Sequence, residues 1–253
     1  MTRMLGRFLL PLMLWLPGQA ALAGPQTLSL ASDDWCPFIC ARGRELGGGL
    51  LVEAVQRALP EVVLKPRLMP LNRAMVDTLA GRIDGIYAPA LDHRLRLSQP
   101  VLRSRACFYQ LAGKTWRYAG LESLKDRRLA AIADYGYDGA DFDRWLGRAD
   151  RAQLDLSYGE NAGRNMLAKL QRGRVDLIVE HQAVLRHLSR ELGLPAEQLR
   201  EAGCLEQTLP LVIGFARDRP DSKRWVERLD RGMAELRASG ELARLAQRYG
   251  LTP

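Results

Sequence analysis

Long apolar runs are almost missing from this chain. The one sustained run, Phe8 to Leu16, is about nine residues long, against the roughly 20 that a bilayer-spanning helix needs. Histidine is scarce: the chain has 3, at positions 93, 181 and 187. None stands at ligand spacing from a cysteine, so a metal centre built on Cys36, Cys40 and a histidine is the weaker reading of those cysteines. No Lys/Arg stripe is interleaved with aromatics. The densest basic pairs, Arg127-Arg128 and Lys223-Arg224, lie beside Asp126 and Asp221, which argues against nucleic acid as a partner. Low-complexity segments and long linkers are absent too, and no metal or cofactor is expected.

What is present at the start is an export signal. Arg3 and Arg7 precede the apolar run, Pro17-Gly18 break it, and Ala21-Leu22-Ala23 supplies a small-x-small cleavage site. Cleavage after Ala23 removes two arginines and no acid, leaving 35 basic against 29 acidic residues, a net charge of +6. The remaining 230 residues suffice for one large domain or two modest ones. With no lipid-attachment cysteine after the cleavage site, a freely diffusing periplasmic protein is expected.

Two stretches say nearly the same thing: Leu79-Ala80-Gly81-Arg82-Ile83-Asp84 and Leu170-Gln171-Arg172-Gly173-Arg174-Val175-Asp176. Met75, Val76 and Leu79 form an apolar stripe in the first, and Met166, Leu167 and Leu170 in the second, at the same helical spacing. Each copy predicts a helix, a glycine stop and a strand. Asp92-His93-Arg94 follows the first strand, and Glu180-His181 ends the second. Ligands of open α/β sheets sit beyond the carboxyl ends of strands, so two such units suggest two lobes facing a cleft. Helix, glycine, strand is also common grammar in any α/β protein.

Cysteine is sparse, with four residues, and in an exported chain each is a disulfide candidate. Cys36 and Cys40 enclose Pro37-Phe38-Ile39, and a bond between them would fix the loop carrying Trp35. Cys107 and Cys204 remain as a possible long-range pair. Elsewhere strands and helices alternate. Strands are predicted over 27–31, 62–68, 106–111, 129–133, 154–158 and 209–216. Helices are predicted from Leu50 to Leu59, ended by Pro60, after an Asn72 cap, around Phe142, Trp145 and Leu146, and over 183–192. In the tail, Trp225, Leu229, Met233 and Leu236 keep one helical face before Gly240 interrupts it. The alternation predicts an α/β fold.

Asp34-Trp35-Cys36-Pro37-Phe38 resembles the aromatic-x-Pro-Phe loop of type II periplasmic solute-binding proteins, in the branch that binds amino acids and related polar solutes (extracellular solute-binding protein family 3). The resemblance continues through Gly48 and the helix after it, Pro70-Leu71-Asn72-Arg73-Ala74, Leu79 to Asp84, Arg94, and Leu121 to Asp126. Gly173-Arg174-Val175-Asp176 and Val212-Ile213-Gly214-Phe215 extend it over essentially the whole chain after the signal. It implies two α/β lobes joined by a two-strand hinge and closing over a solute. Lobe 1 would be residues 24–102 and 212–253 and lobe 2 residues 103–211, with 1–23 the signal peptide.

The resemblance also implies a site. Arg94 matches the arginine that grips a ligand carboxylate through its planar fork, and Trp35 the aromatic that lies against the solute. Tyr135, Gly136 and Tyr137 fall where the family places a small or hydroxyl residue at a helix start, whose free N–H groups hold an anion. Arg73, in the first turn of its helix, and Tyr87 are further candidates. The family aspartate that pairs with an α-ammonium falls on His181, with Glu180 one place earlier, so the ligand need not carry an amine. The segment between Ile86 and Arg94 is shorter than in typical amino-acid binders, which sets Arg94 differently.

Together these features predict a monomeric periplasmic binding protein rather than an enzyme. It would capture a small polar or carboxylate-bearing, amino-acid-like solute and present it to an ABC transporter permease. A sensor that signals the bound state to a membrane partner needs the same closure. A lyase or dehydratase on the same scaffold would rely on Glu180 and His181 for general acid catalysis.

Overall fold

Leu28 and Leu30 face one side of the first strand and Ala31 the other, and all three are buried, as in a strand covered by helices on both faces. In the computed structural model, which describes residues 26–159 and 161–251, the expected signal peptide lies outside the described residues. The chain runs through β1 (Gln26–Ser32), a short hairpin β2 (Cys40–Arg42) and β3 (Glu45–Gly48), α1 (Leu50–Ala58), β4 (Val62–Leu68), α2 (Leu71–Leu79), β5 (Gly85–Tyr87), β6 (Leu95–Leu97) and β7 (Leu102–Ser104). It continues through β8 (Ala106–Leu111), β9 (Leu129–Ile132), α3 (Asp141–Leu146), β10 (Leu154–Ser157), α4 (Ala162–Gln171), β11 (Leu177–His181), α5 (Gln182–Glu191) and β12 (Leu199–Cys204). It returns through β13 (Leu209–Leu211), β14 (Ile213–Ala216), α6 (Ser222–Ala238) and α7 (Glu241–Arg248).

Two five-stranded sheets result, ordered β4-β1-β5-β14-β6 and β10-β9-β11-β8-β12. In each, the first three strands are parallel and each of the last two is antiparallel to the strand before it. Between the sheets, β7 and β13 pair with one another, so the chain crosses from one sheet to the other and back at adjacent places. The first sheet buries Leu28 and Leu30 against α1, α6 and α7, and Ala31 and Ile86 against α2. The second buries Ile178 against α4 and α5, and Val179 against α3. The α/β class expected from the alternation is the class the chain adopts.

The two glycine stops are alike. Gly81 and Gly173 take φ of +72° and +66°, conformations that cost a residue with a Cβ far more. The next residues, Arg82 and Arg174, donate their backbone N–H to the Asp77 and Lys169 carbonyls at 2.8 and 2.9 Å, satisfying carbonyls that the helix end leaves free.

Three sequence expectations need correction. Val76 is 55 % exposed, because α2 turns Ala74, Asp77 and Thr78 inward instead; Asp77 is held there by Arg73 and Arg82. Pro70, not Asn72, precedes the first turn of α2, and the Asn72 side chain donates to Asp134 at 2.7 Å. The apolar run 209–216 is two strands rather than one, since its first part serves the crossing pair with β7 and its second pairs with β5.

Both disulfides form: Cys36–Cys40 within the loop after β1, and Cys107–Cys204 across the paired strands β8 and β12. Glu201 joins Cys107 and Cys204 in a cluster with metal-ligand spacing, but the two sulfurs are bonded to each other. Among the described residues, no helix is long and apolar enough to cross a membrane.

Candidate ligand site between the sheets

Beyond the carboxyl ends of β1, β5 and β11, loops from the two sheets meet directly. A cavity of ≈ 20 Å³ lies there, with Ser32, Asp33, Trp35, Ala88, Tyr135 and Gly136 in its wall. That is room for about one water.

The short disulfide ring carries the tryptophan into this junction. Trp35 donates its backbone N–H to the Ile39 carbonyl at 2.8 Å across the Cys36–Cys40 loop. Its indole packs on Phe38, with centroids 4.9 Å apart, and meets His181 edge-on at 5.0 Å and Tyr135 edge-on at 6.2 Å. Trp35 thus reaches both the cavity and His181, and Tyr135 joins it in the cavity wall.

Three ionisable groups surround these rings, Glu180 and His181 fully buried and Asp33 half-buried. Tyr135 Oη donates to Asp33 Oδ2 at 2.9 Å; burial outweighs that bond and pushes the Asp33 carboxyl up to about 6. Glu180 is fully buried. Its Oε1 accepts the His181 backbone N–H at 2.8 Å, while Oε2 has no partner. Burial above all, with the charge of Asp33 adding to it, pushes Glu180 up to about 8 against that hydrogen bond.

His181 Nε2 lies 3.1 Å from the Gly136 carbonyl, which assigns the proton to Nε2 and leaves Nδ1 as an acceptor. Nδ1 has no partner, and burial lowers the imidazole to about 4, so it is neutral near pH 7. Tyr137 stacks on the His181 ring at 5.8 Å, and its hydroxyl accepts the Ile132 N–H at 2.8 Å. Tyr137 therefore orients His181 from the core rather than covering a ligand. Tyr87 is fully buried with an unpartnered hydroxyl, and burial holds that hydroxyl's pKa above its ordinary value.

The expected anion grips are engaged elsewhere. Arg94 does not line the cavity; it binds Asp92 through its backbone N–H at 2.8 Å and its guanidinium at 2.6 Å. The guanidinium in turn holds Asp92 down at about 2. Arg73 is exposed and tied to Asp77 at 2.8 Å. The N–H groups after Gly136 are also taken: Tyr137 and Gly139 donate to Asp143, and Ala140 and Phe142 to Asp138. In each case an acid a few residues away along the chain reaches the donor first, with little chain to close.

Sequence patterns miss Asp33, Ser32 and Ala88. The available signal was the pair Asp33-Asp34 at the end of β1, but only the loop decides which acid turns inward. Asp34 accepts the Ala41 N–H at 2.9 Å, and Asp33 takes Tyr135. Ala88 and Asp134 are the two non-glycine residues with left-handed backbone among the described residues, at φ +43° and +63°. One lies in the cavity wall and the other precedes Tyr135, a place where backbone strain often accompanies function.

No protein-family model matches the chain, and no curated protein is similar to it in sequence. Solved structures are similar in fold. A histidine kinase sensor domain with similarity to periplasmic binding proteins superposes with TM-score 0.75 at 18 % identity, over 90 % of this chain and 98 % of that one. An ancestral arginine-binding protein bound to arginine gives 0.70 at 17 %, over 88 % and 97 %. The amino acid ABC transporter substrate-binding protein AbpA from Streptococcus pneumoniae, bound to L-arginine, gives 0.68 at 17 %, over 88 % and 94 %. Two sheets of matching order joined by a crossing pair of strands, with these neighbours, give the chain the fold of the type II periplasmic binding proteins.

Proposed function

We propose that the protein is a monomeric periplasmic solute-binding protein whose two lobes, 24–102 with 212–253 and 103–211, close over a small polar solute. The observation that carries this reading is a set of unpartnered polar atoms: Trp35 Nε1, Glu180 Oε2 and His181 Nδ1 about the Trp35–His181 contact, and Tyr87 Oη on the last residue of β5. Leaving such a group buried and unpaired costs about 1–3 kcal/mol. Three of them about one contact between the sheets, with a fourth on the end of β5, are better explained by a solute's hydrogen bonds than by packing. Since the cavity has room for about one water, a solute enters when the lobes part and is held when they close, the population shift that differential affinity produces.

The two disulfides support an oxidising compartment. The solute would be handed to a membrane partner, the permease of an ABC importer. The likeness to a histidine kinase sensor domain favours a second reading, in which the closed form signals to a membrane partner; both need the same closure.

The test is a thermal-shift screen of a metabolite library followed by small-angle scattering with each hit. A solute at 100 times its Kd is expected to stabilise the folded protein by about 2.7 kcal/mol and to reduce the radius of gyration. A protein that gains stability from no solute and keeps one radius throughout overturns the reading.

A further inference from the structure

We propose that the solute is a small organic cation, an amine or guanidine, whose charged group sits between Asp33 and Glu180. This rests on the solute-binding reading and adds the charge of the ligand.

The site is rich in acceptors and poor in donors. Glu180 Oε2 and His181 Nδ1 are buried without partners; Nδ1 is an acceptor, Oε2 becomes one when a bound cation draws the proton from Glu180, and Trp35 Nε1 is the one obligate donor among the four orphaned atoms. An ammonium offers three donors and no acceptor, the complement of that set. Asp33 accepts from Tyr135 at 2.9 Å, and Trp35 meets both Tyr135 and His181, the residue after Glu180, so the two acids flank one cluster of rings. Among the described residues, no Lys or Arg lines the cavity.

The cations that sequence places nearby are neutralised by Asp92 and Asp77, and the backbone N–H groups suited to an anion are held by Asp138 and Asp143. A carboxylate solute would therefore meet the charge of Asp33 with no cation and no free helix N–H to offset its desolvation. An ammonium offsets the burial of both acids. Trp35 and Tyr135 add aromatic surface that attracts a cation and repels an anion at its face. Parting of the lobes at the Trp35–His181 contact would supply the room such a solute needs.

The experiment is titration calorimetry of the full chain with putrescine, agmatine, L-arginine, 4-aminobutanoate and succinate. Putrescine and agmatine are expected to bind about tenfold or more tighter than L-arginine and 4-aminobutanoate, with no heat from succinate. Asp33→Asn and Glu180→Gln keep shape and are expected to weaken the amines about tenfold each, while urea unfolding reports that the variants fold. The preference order of the unmutated protein decides even where a variant fails to fold.

Tighter binding of succinate or 4-aminobutanoate than of the amines, or amine affinity unchanged in both variants, overturns the cation assignment and leaves the solute-binding reading standing. Silence from all five probes also overturns the assignment; the library screen and scattering then judge the solute-binding reading on their own.

Discussion

Strands β5 and β11 hold the same third place in their sheets, and each follows a helix stopped by a left-handed glycine. Yet β5 ends in Tyr87 and the strained Ala88, whereas β11 ends in two buried ionisable groups, Glu180 and His181. The first half of the molecule supplies aromatic surface, a hydroxyl and one acid, Asp33, from the loop after β1. The second supplies an acid and a neutral imidazole. Identical local grammar delivers strand ends to a common junction, and burial then decides which of the delivered side chains can act as charges. The arginines of the first half, 73 and 94, stay in water on neighbouring acids, where an ion pair contributes little to stability.

The disulfides sharpen this comparison, one in each half. Cys107–Cys204 closes a loop with sequence separation 97, and the chain-entropy model gives about 4.7 kcal/mol for such a length. Replacing both cysteines by serine is expected to remove about that much stability in urea unfolding, while the folded fraction binds ligand within threefold or so of the parent. Cys36–Cys40, with sequence separation 4, is worth about 2 kcal/mol on the same model. Because that ring presents Trp35, its loss is expected to weaken ligand about tenfold or more. If the short ring moved stability more than the long one, or the long one moved affinity more than the short, the division of labour drawn here would be wrong.

The buried acids set the two halves against the pH scale. Asp33 keeps its proton to about 6 in the folded protein against 3.8 ordinarily, and Glu180 to about 8 against 4.5. The folded state therefore binds more protons than the unfolded chain between those values, and stability falls as pH rises through them. His181 works the other way: its pKa drops from 6.5 to about 4, so it adds stability as pH rises across that interval. Of these three groups, Glu180 dominates above pH 6.5. Between pH 6.5 and 8 the folding equilibrium of the free protein is expected to weaken by about fifteenfold in all. Glu180→Gln is expected to flatten that slope, and urea unfolding at three pH values reads it.

Much of the fold is legible in the sequence because its signals are local. Leu28 and Leu30 alternate in β1, Val62 to Leu68 forms β4 over the expected range, and Ala106 to Leu111 is β8 residue for residue. Gly81 and Gly173 mark two helix ends without help from tertiary structure. The edge strands β6 and β12 escape notice because each has a single fully buried position and carries no period, and the crossing strand β7 is expected only through the resemblance, as part of the two-strand hinge. Val76 misleads because a buried Asp77, held by two arginines, outweighs an apolar neighbour in choosing the inward face. At the junction, Trp35, Tyr135, Gly136, Glu180 and His181 are visible as residue types at strand ends and do come together. Asp33 is not, since an acid pair in a loop does not say which member turns in. Arg94 is visible but its partner is not, because Asp92 lies two residues away and competes for it only once the turn has formed.

Arg94 therefore gives the smallest expected effect and the closest test of the comparison. The resemblance assigns it the ligand carboxylate; the structure gives its guanidinium to Asp92 at 2.6 Å and leaves the side chain 57 % exposed. Arg94→Ala is expected to change ligand affinity by less than about threefold, because an exposed, already paired cation loses little when removed. The change that must appear is local: the Asp92 carboxyl, held at about 2 by that guanidinium, is expected to rise toward 3.8 in an NMR titration. A rise at Asp92 with affinity intact keeps recognition with Asp33 after β1 and Glu180 of β11. An affinity loss of tenfold or more, with Asp92 unmoved, would return recognition to the guanidinium and make the first half of the molecule the one that reads charge.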